Sequence, residues 1–287
     1  MPPRRLRLDA ELVRRSQARS REHARELILT GRVTVNGQPA AKPATGVTVD
    51  ADIVVRAAAA GEVEYASRGG HKLAGALRAF AADGLSVAGR RCLDAGASTG
   101  GFTDVLLRHD AAEVLAVDVG YGQLAWGLRT DPRVRVLDRT NIRDLDTDLL
   151  GGPVEVVVGD LSFISLRLVL PALVAVTAAD GDLALMVKPQ FEVGKDRLGK
   201  GGVVRDDRLR ADAVESVART AAELGWGARA VTTSPLPGPS GNLEYFLLLR
   251  RGPATIGSAE IGAEIAADRT HGAAVPPADA ADERLGP

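Results

Sequence analysis

Strands and helices alternate along the sequence from Arg90 onward, and this alternation constrains the fold more than any other feature. Strands are predicted near residues 91–95, 113–118, 133–137, 154–159, 182–188, 227–233 and 244–250, and helices near residues 101–108, 122–129, 165–178 and 207–224. Such an order is typical of a mostly parallel sheet with helices on both faces. We therefore expect an α/β protein with a Rossmann-like, seven-stranded sheet.

A loop of small residues joins the first of these strands to its helix. It reads Asp94-Ala95-Gly96-Ala97-Ser98-Thr99-Gly100-Gly101-Phe102, and small residues let backbone N–H groups and a helix N-terminus come close to a ligand. The spacing departs from the dinucleotide pattern G-x-G-x-x-G, which favours S-adenosylmethionine, a ligand without a pyrophosphate, over NAD. A turn that only closes a strand–helix unit is the alternative that stays open. The candidate cofactor ligands in this loop are Asp94, Gly96, Ser98, Thr99, Gly100, Gly101 and Phe102.

Three further residues suit the same ligand. Asp118 follows the second strand, where a carboxylate can accept both hydroxyl groups of a ribose. Asn141 and Ile142 follow the third strand, and we expect them near the adenine ring.

The composition limits the class of protein. With 287 residues and 45% hydrophobic content, the chain can bury a large domain and a small one. It has no run of about 18 apolar residues, and no apolar stretch follows its basic first residues, so we expect no membrane partner and no secretion. A single cysteine, Cys92, excludes a disulfide framework and a cysteine zinc cluster, so we expect no metal and a cytoplasmic location.

Residues 6–56 form a candidate module with its own core. Two helices, the second capped by Ser20, precede a strand and an Asn36-Gly37 turn. Residues 1–60 hold eleven Lys and Arg against six Asp and Glu, whereas residues 252–287 hold two against six. A basic end suggests a polyanionic partner, and a solvated charged helix face is the equally open alternative.

This module resembles the S4 RNA-binding domain in its helix pair and in the sequence Gly31-Arg32-Val33-Thr34-Val35-Asn36-Gly37. The resemblance implies a small α+β domain that contacts structured RNA through backbone phosphates and shape. Arginines on and after the second helix could line one basic surface. The candidate RNA ligands are Arg4, Arg7, Arg19, Arg21, Arg25, Arg32 and Arg68.

Two residues at strand ends could carry chemistry. Lys188 closes the strand 182–188, at the edge where open α/β sheets bind ligands, and could serve there as a base. Asp160 follows the strand 154–159, so by the same topology it faces the same crevice and could hold the lysine ammonium. The alternatives are a lysine that only reaches into solvent and a carboxylate that caps a turn.

Glu244 and Lys72 are weaker candidates. Glu244 begins the last strand after a loop rich in proline and glycine, a position more typical of an exposed edge residue. Lys72 lies in a basic segment before the sheet and taken alone is typical of a solvated helix residue. Only five lysines occur among 36 Lys and Arg residues, and arginine cannot release a proton near neutral pH. Lysine at positions 72 and 188 therefore indicates a need for a titratable amine.

Six ordered motifs resemble those of the TlyA-family ribosomal RNA methyltransferases, whose catalytic domain is similar to the FtsJ-type 2'-O-methyltransferases. They lie at residues 67–73, 94–102, 117–124, 160–165, 187–192 and 241–244, and include Asp160-Leu161-Ser162-Phe163-Ile164-Ser165 and Val187-Lys188-Pro189-Gln190-Phe191-Glu192. The resemblance implies a class I methyltransferase fold, S-adenosylmethionine as cofactor, and 2'-O-methylation of cytidine in 16S or 23S ribosomal RNA. It also implies a catalytic tetrad of Lys72, Asp160, Lys188 and Glu244.

These observations predict three segments. Residues 1–60 hold the S4-like domain and the start of a linker, and residues 61–251 hold the methyltransferase domain. Residues 252–287, rich in Ala, Pro, Gly and Asp, are predicted to be largely disordered. Two other functions stay open: a haemolysin acting on membranes, after a name also used in this family, and an RNA-binding protein with an inactive methyltransferase domain. The presence of Lys188 and Asp160 argues against the last.

Overall fold

The computed structural model describes residues 5–18, 20–57, 63–238 and 240–267 of the chain. Its N-terminal unit contains β1 (Leu6–Arg7), α1 (Leu8–Arg14), α2 (Arg21–Leu29), β2 (Val33–Val35), β3 (Gln38–Pro39), β4 (Gly46–Val47) and β5 (Ile53–Val55). Strands β3, β2 and β5 form an antiparallel sheet, and β1 pairs with β4. Leu12 and Ile28 of the two helices pack with Val33 and Ile53, so this unit has a core of its own.

The second unit is built on a seven-stranded sheet with the order β11-β12-β10-β9-β6-β7-β8. Its strands are β6 (Arg91–Ala95), β7 (Glu113–Val117), β8 (Val134–Leu137), β9 (Val154–Gly159), β10 (Thr177–Val187), β11 (Trp226–Thr233) and β12 (Tyr245–Arg251). The five strands from β10 to β8 are parallel, and β12 is antiparallel to both of its neighbours. The predicted Rossmann-like, mostly parallel sheet is confirmed.

Helices cover both faces of this sheet. They are α3 (Gly69–Phe80), α4 (Gly101–Arg108), α5 (Trp126–Arg129), α6 (Thr147–Leu150), α7 (Leu170–Val176), α8 (Pro189–Glu192), α9 (Asp207–Glu223) and α10 (Ser258–Ala267). Successive strand residues point to opposite faces, so Leu93 and Leu185 pack with α7 and α9, whereas Cys92 and Met186 pack with α3 and α4. The continuous apolar strands are therefore buried on both sides.

Two predicted helices are shorter than expected. The segment 122–129 is helical only in α5, because the residues before it form a loop in which Gly122 has a φ of +65°. The helix predicted over 165–178 is split into a 3-10 turn at Leu166–Leu168 and α7. Pro171 stands in the first turn of α7, where its missing N–H costs no hydrogen bond, so the helix begins there.

The prediction of a disordered tail is wrong for residues 258–267. They form α10, whose Ile261 and Ile265 are buried in the same core as α9 and β11. Glu264 Oε1 also accepts a hydrogen bond of 2.7 Å from the backbone N–H of Thr233, at the edge strand β11. A prediction from composition misses this helix, because two isoleucines four residues apart give an alanine-rich segment an apolar face. Residues 268–287 lie outside the described residues.

Candidate active site

The candidate site lies at the carboxyl edge of the parallel strands. The small-residue loop follows β6, Asp118 follows β7, Asp160 follows β9 and Lys188 follows β10. Because these strands are parallel, their ends meet at one edge of the sheet. Strand β12 runs in the opposite direction, with Tyr245 paired to Val187, so its beginning reaches the same edge. This reversal brings in Glu244, which precedes β12.

Lys188 and Asp160 form an ion pair at this edge. The Lys188 Nζ lies 2.5 Å from Asp160 Oδ1, at angles outside hydrogen-bond geometry, and donates a hydrogen bond of 2.8 Å to Ser162 Oγ. The lysine is buried, while Asp160 is partly exposed. The amine is thus held between a carboxylate and a hydroxyl that belong to the same loop after β9.

Lys72 and Glu244 form a second ion pair, which is almost fully buried. The Lys72 Nζ donates to Glu244 Oε2 at 2.5 Å, and the two side chains are 6% and 1% exposed. Gln190 Nε2 donates to the other carboxylate oxygen at 3.3 Å. A buried charge is costly unless it is paired, so the pairing explains how a lysine of α3 tolerates this position.

The two ion pairs are neighbours. Gln190, which contacts Glu244, is two residues from Lys188 in the chain. On the other side, a Cβ added to Gly69 would lie 3.7 Å from Asp160 Oδ2, and Gly69 is three residues before Lys72. The structure therefore brings together all four residues of the predicted tetrad.

Asp94 is a fully buried carboxyl at the end of β6. Its Oδ2 accepts a hydrogen bond of 2.7 Å from Thr103 Oγ1, whereas its Oδ1 has no partner among the described residues. Burial raises the pKa of Asp94 to about 7, and the negative charges of Asp160 and Asp118 add to this shift. Three carboxyl groups thus lie close together in the crevice, and Lys188 balances the charge of one of them, Asp160. The contribution of Thr103 was not predicted, because it depends on how α4 packs over the loop.

Asp94 is expected to make stability depend on pH. The folded-state pKa of Asp94 lies above its usual value of 3.8. Between about pH 4 and pH 7 the folded protein therefore still carries a proton on Asp94 that the unfolded chain has released. The free energy of unfolding should therefore fall as pH rises through this window, by roughly 3–4 kcal/mol from this group. Urea denaturation of the protein and of Asp94→Asn at pH 5 and pH 8 measures the effect. The exposed Asp180→Asn serves as control, and an equal loss in all three proteins would contradict the prediction.

The loop after β6 is shaped by two glycines with left-handed backbones. Gly96 has a φ of +88°, and a Cβ there would lie 3.0 Å from the carbonyl oxygen of Asp160. Gly100 has a φ of +98°, and a Cβ there would meet the Leu128 side chain at 2.3 Å. The first glycine lets the loop approach the β9 end closely, and the second lets α4 begin against the segment that follows β7.

The other predicted cofactor ligands have different environments. Asp118 bridges two loops, since its oxygens accept from the backbone N–H groups of Ser98 at 2.8 Å and Gly120 at 2.7 Å. Phe102 is buried and stacks on Phe246, so it packs in the core.

The predicted adenine contacts lie in a short turn. The Asn141 side chain accepts a hydrogen bond from the backbone N–H of Arg143 and caps the 3-10 turn at Ile142–Asp144, and Ile142 is buried. Thr99 is half-buried, Ser98 is exposed, and Gly101 begins α4.

The predicted RNA ligands do not share one environment. Arg7 and Arg21 both form ion pairs with Asp9, at 2.8 and 3.0 Å. These partners lower the pKa of Asp9 to about 2, and the hydrogen bond from Arg7 contributes most to this shift. Arg25 is exposed on α2. Arg32 pairs with Glu64 at 2.7 Å, and Arg68 donates to the carbonyl of Pro237 at 3.2 Å. Arg4 and Arg19 lie outside the described residues.

Sequence reasoning missed several residues at the site. Ser162 and Gln190 contact the tetrad, as described above. Phe163 lies next to Ser162 with a φ of +64° and a side chain that is 92% exposed. Its ring centroid lies 5.4 Å from that of Phe191. A left-handed backbone at an exposed aromatic residue is uncommon, but it has no signature in the sequence.

Comparison with known proteins assigns the family. A model of FtsJ-like methyltransferases matches residues 65–251, and a model of the S4 domain matches residues 6–53. The chain belongs to the FtsJ-like methyltransferase family. This methyltransferase is 61% identical over 247 residues to the 16S/23S rRNA (cytidine-2'-O)-methyltransferase TlyA of Mycobacterium tuberculosis. The aligned region covers 86% of this chain and 90% of that protein. The predicted resemblance to the TlyA family is confirmed.

Two further proteins resemble the methyltransferase over most of their length. Hemolysin A of Brachyspira hyodysenteriae is 36% identical, over 84% of this chain and 98% of that protein. A solved structure from Streptococcus thermophilus has 33% identity and a TM-score of 0.75, over 94% of this chain and 98% of that one. Within the described part of the chain, no helix is long and apolar enough to cross a membrane, and no group of His, Cys, Asp and Glu side chains could hold a metal ion.

Proposed function

We propose that this methyltransferase transfers a methyl group from S-adenosylmethionine to the 2'-hydroxyl of a cytidine in 16S or 23S ribosomal RNA. The observation that carries the proposal is the meeting of the Lys188–Asp160 and Lys72–Glu244 ion pairs beside the small-residue loop. The 61% identity to a protein named for this reaction supports the choice of substrate. Ribosomal RNA as substrate also makes a cytoplasmic location part of the proposal.

The charge of the crevice fits the proposed cofactor. The acidic side chains Asp94, Asp118 and Asp160 lie at this edge, and the charges of Asp160 and Asp118 add to the shift by which burial raises the pKa of Asp94. A ligand with sulfonium and ammonium charges is attracted there, whereas the pyrophosphate of a dinucleotide is repelled. Asp118 would hold the ribose through its remaining lone pairs, and the orphan Oδ1 of Asp94 offers a buried acceptor. When bound, S-adenosylmethionine supplies a methyl group that is already activated, so positioning contributes most of the rate enhancement.

Lys188 has the central role in the proposed mechanism. In its neutral form the Nζ accepts the proton of the 2'-hydroxyl, and as an ammonium it orients the hydroxyl so that an oxygen lone pair faces the methyl group. Asp160, 2.5 Å away, stabilises the lysine ammonium, and Ser162 fixes the direction of one N–H. Lys72 and Glu244 would position the hydroxyl and the ribose from the opposite side.

Aromatic and basic groups would hold the RNA around this centre. The exposed ring of Phe163 lies in the loop that carries Asp160 and offers a face on which a base can stack. Farther away, the exposed Arg7, Arg21 and Arg25 of the S4 unit would contact phosphates. Arg7 and Arg21 share the single carboxylate of Asp9, so these groups together keep a positive charge. The S4 unit would thus determine which region of the RNA reaches the crevice.

Mapping of the product tests the proposed function. Unmodified ribosomal subunits are incubated with the protein and labelled S-adenosylmethionine, and modified positions are identified by resistance to alkaline cleavage and by mass spectrometry of nucleosides. We expect 2'-O-methylcytidine, and a methylated base or an unlabelled RNA would contradict the proposal. A dye-leakage assay on liposomes, run with the same preparation, tests the haemolysin alternative.

Asp118→Ala is expected to weaken the binding of S-adenosylmethionine by roughly tenfold to a hundredfold, because hydrogen bonds to a charged acceptor contribute about 1.5–3 kcal/mol each. Isothermal titration calorimetry measures the dissociation constant. Asp180→Ala, at an exposed position away from the site, is the matched control. An unchanged affinity for S-adenosylmethionine in a folded Asp118→Ala protein would contradict the assignment of Asp118 to cofactor binding.

A further inference from the structure

A groove next to the candidate site separates the S4 unit from the methyltransferase domain, and it shares Thr99 with the loop of predicted cofactor ligands. It comprises two adjoining cavities of about 530 and 650 Å³, volumes typical of ligand-binding pockets. Residues lining both cavities come from both units: Ser20, Thr99, Gln123, Ala125 and Trp126. We name these five residues the interdomain groove. None of the four tetrad residues lines it.

Trp126 is the most unusual residue of this groove. It begins α5, and its side chain is 76% exposed, whereas Trp226 is 3% exposed. An indole left in water is a large apolar face without a partner. Nearby, Tyr121 is also exposed, and the Arg139 guanidinium lies 4.3 Å from its ring centroid. Aromatic faces next to arginine are the arrangement on which unpaired bases stack.

The two arginines that line the cavities are already paired with carboxylates. Arg108 binds Asp104 at 2.7 Å, and Arg129 binds Asp138 at 3.0 Å. The cavity walls are therefore close to neutral, and a ligand held mainly by its phosphates is disfavoured. The hydroxyl and amide groups of the interdomain groove can instead hydrogen-bond the edge of a base.

The position of the groove indicates where such a base comes from. Ser20 caps α2, the helix that carries the exposed Arg21 and Arg25 of the S4 unit. Thr99 belongs to the loop that leads into the candidate active site. The two units are tied together at this place, since Glu64 pairs with Arg32 and its carbonyl accepts from Arg108. The interdomain groove thus lies between the start of α2 and the loop of the candidate site, on a route open to an RNA strand that contacts both.

We propose that the interdomain groove binds one unpaired nucleotide of the RNA substrate, with its base stacked on Trp126. This inference rests on the proposed function, because it takes the substrate to be RNA. The nucleotide is distinct from the methylated cytidine, which the tetrad would hold. The groove would thus add a second point of recognition and select RNA in which an unpaired base lies at a set distance from the target.

The first test compares methyl transfer by Trp126→Ala and Trp126→Phe on ribosomal subunits. Stacking contributes about 1–3 kcal/mol per base, so we expect KM for RNA to rise roughly tenfold to a hundredfold in Trp126→Ala, with kcat and S-adenosylmethionine affinity unchanged. Trp126→Phe should retain most of the wild-type KM. Leu168→Ala removes another exposed apolar side chain and should have no effect.

The second test is spectroscopic and does not depend on methyl transfer. The chain has two tryptophans, so Trp226→Phe leaves Trp126 as the only one. Its fluorescence should be quenched, and protected from acrylamide, when a ribosomal RNA fragment binds, but not with free cytidine or adenosine monophosphate. Equal quenching by free nucleotides would overturn the RNA assignment in favour of a small-molecule site.

The outcomes separate this inference from the proposed function. If the wild type methylates RNA and Trp126→Ala has the same KM, the groove proposal fails while the function stands. If RNA quenches Trp126 but no methyl transfer occurs, the groove proposal stands and the function fails. Loss of S-adenosylmethionine binding in Trp126→Ala would overturn the groove proposal, since the groove would then belong to the cofactor site.

Discussion

Lys188→Ala is expected to lower the rate of methyl transfer by about 10²–10⁴-fold, the range that general base catalysis contributes, while S-adenosylmethionine still binds. The reason is geometric, because the Lys188 Nζ is the amine that Asp160 and Ser162 hold at the carboxyl edge of the sheet. The measurement is single-turnover transfer of labelled methyl to ribosomal subunits, with cofactor affinity determined by calorimetry on the same samples.

Two variants sharpen this prediction. Lys188→Arg keeps a cation beside Asp160 but cannot release a proton near neutral pH, so we expect a folded protein without transfer activity. Lys200→Ala changes an exposed lysine and should leave the rate intact. A wild-type rate of methyl transfer in Lys188→Ala would show that Lys188 is not the general base. Methyl transfer by Lys188→Arg would show that Lys188 only orients the hydroxyl.

Lys72→Ala is expected to destabilise the fold by about 3–5 kcal/mol, the cost of leaving one partner of a buried ion pair without the other. Glu244 is 1% exposed, and Lys72 is the cation that meets its Oε2 at 2.5 Å. Urea denaturation gives the free energy of unfolding of the variant and of the wild type. Methyl transfer should also be lost, since Glu244 would no longer be held in place.

A double variant separates stability from activity at this pair. Lys72→Met together with Glu244→Gln removes both charges and keeps the side-chain volumes similar, so much of the lost stability should return. Activity should not return, because neither residue could then position the ribose. If Lys72→Ala lowers the free energy of unfolding by less than about 1 kcal/mol, the pair behaves like a solvent-exposed one, and this result would contradict the buried contact.

Local patterns predicted much of the fold. Residues 91–95 and 154–159 were predicted as strands and form β6 and β9, and residues 101–108 form α4 as predicted. Runs of apolar residues between glycine-rich turns identify such elements. The same reasoning placed Lys188 and Asp160 in one crevice, because each follows a parallel strand.

The failures have a common cause. The helix over residues 258–267 was missed because its stability comes from the core beneath Ile261 and Ile265 and not from its composition. Glu244 looked like an exposed edge residue, since nothing near it in the chain shows that β12 is reversed. Its partner Lys72 lies 172 residues away.

Residues close in the chain thus determine where strands, helices and turns form, since periodicity and backbone preference act over a few residues. The joining of Lys72 to Glu244, the orphan oxygen of Asp94 and the exposure of Trp126 between two domains arise only when distant segments pack. Such contacts depend on burial and on pairing between residues far apart in the chain, so a short stretch of sequence does not predict them.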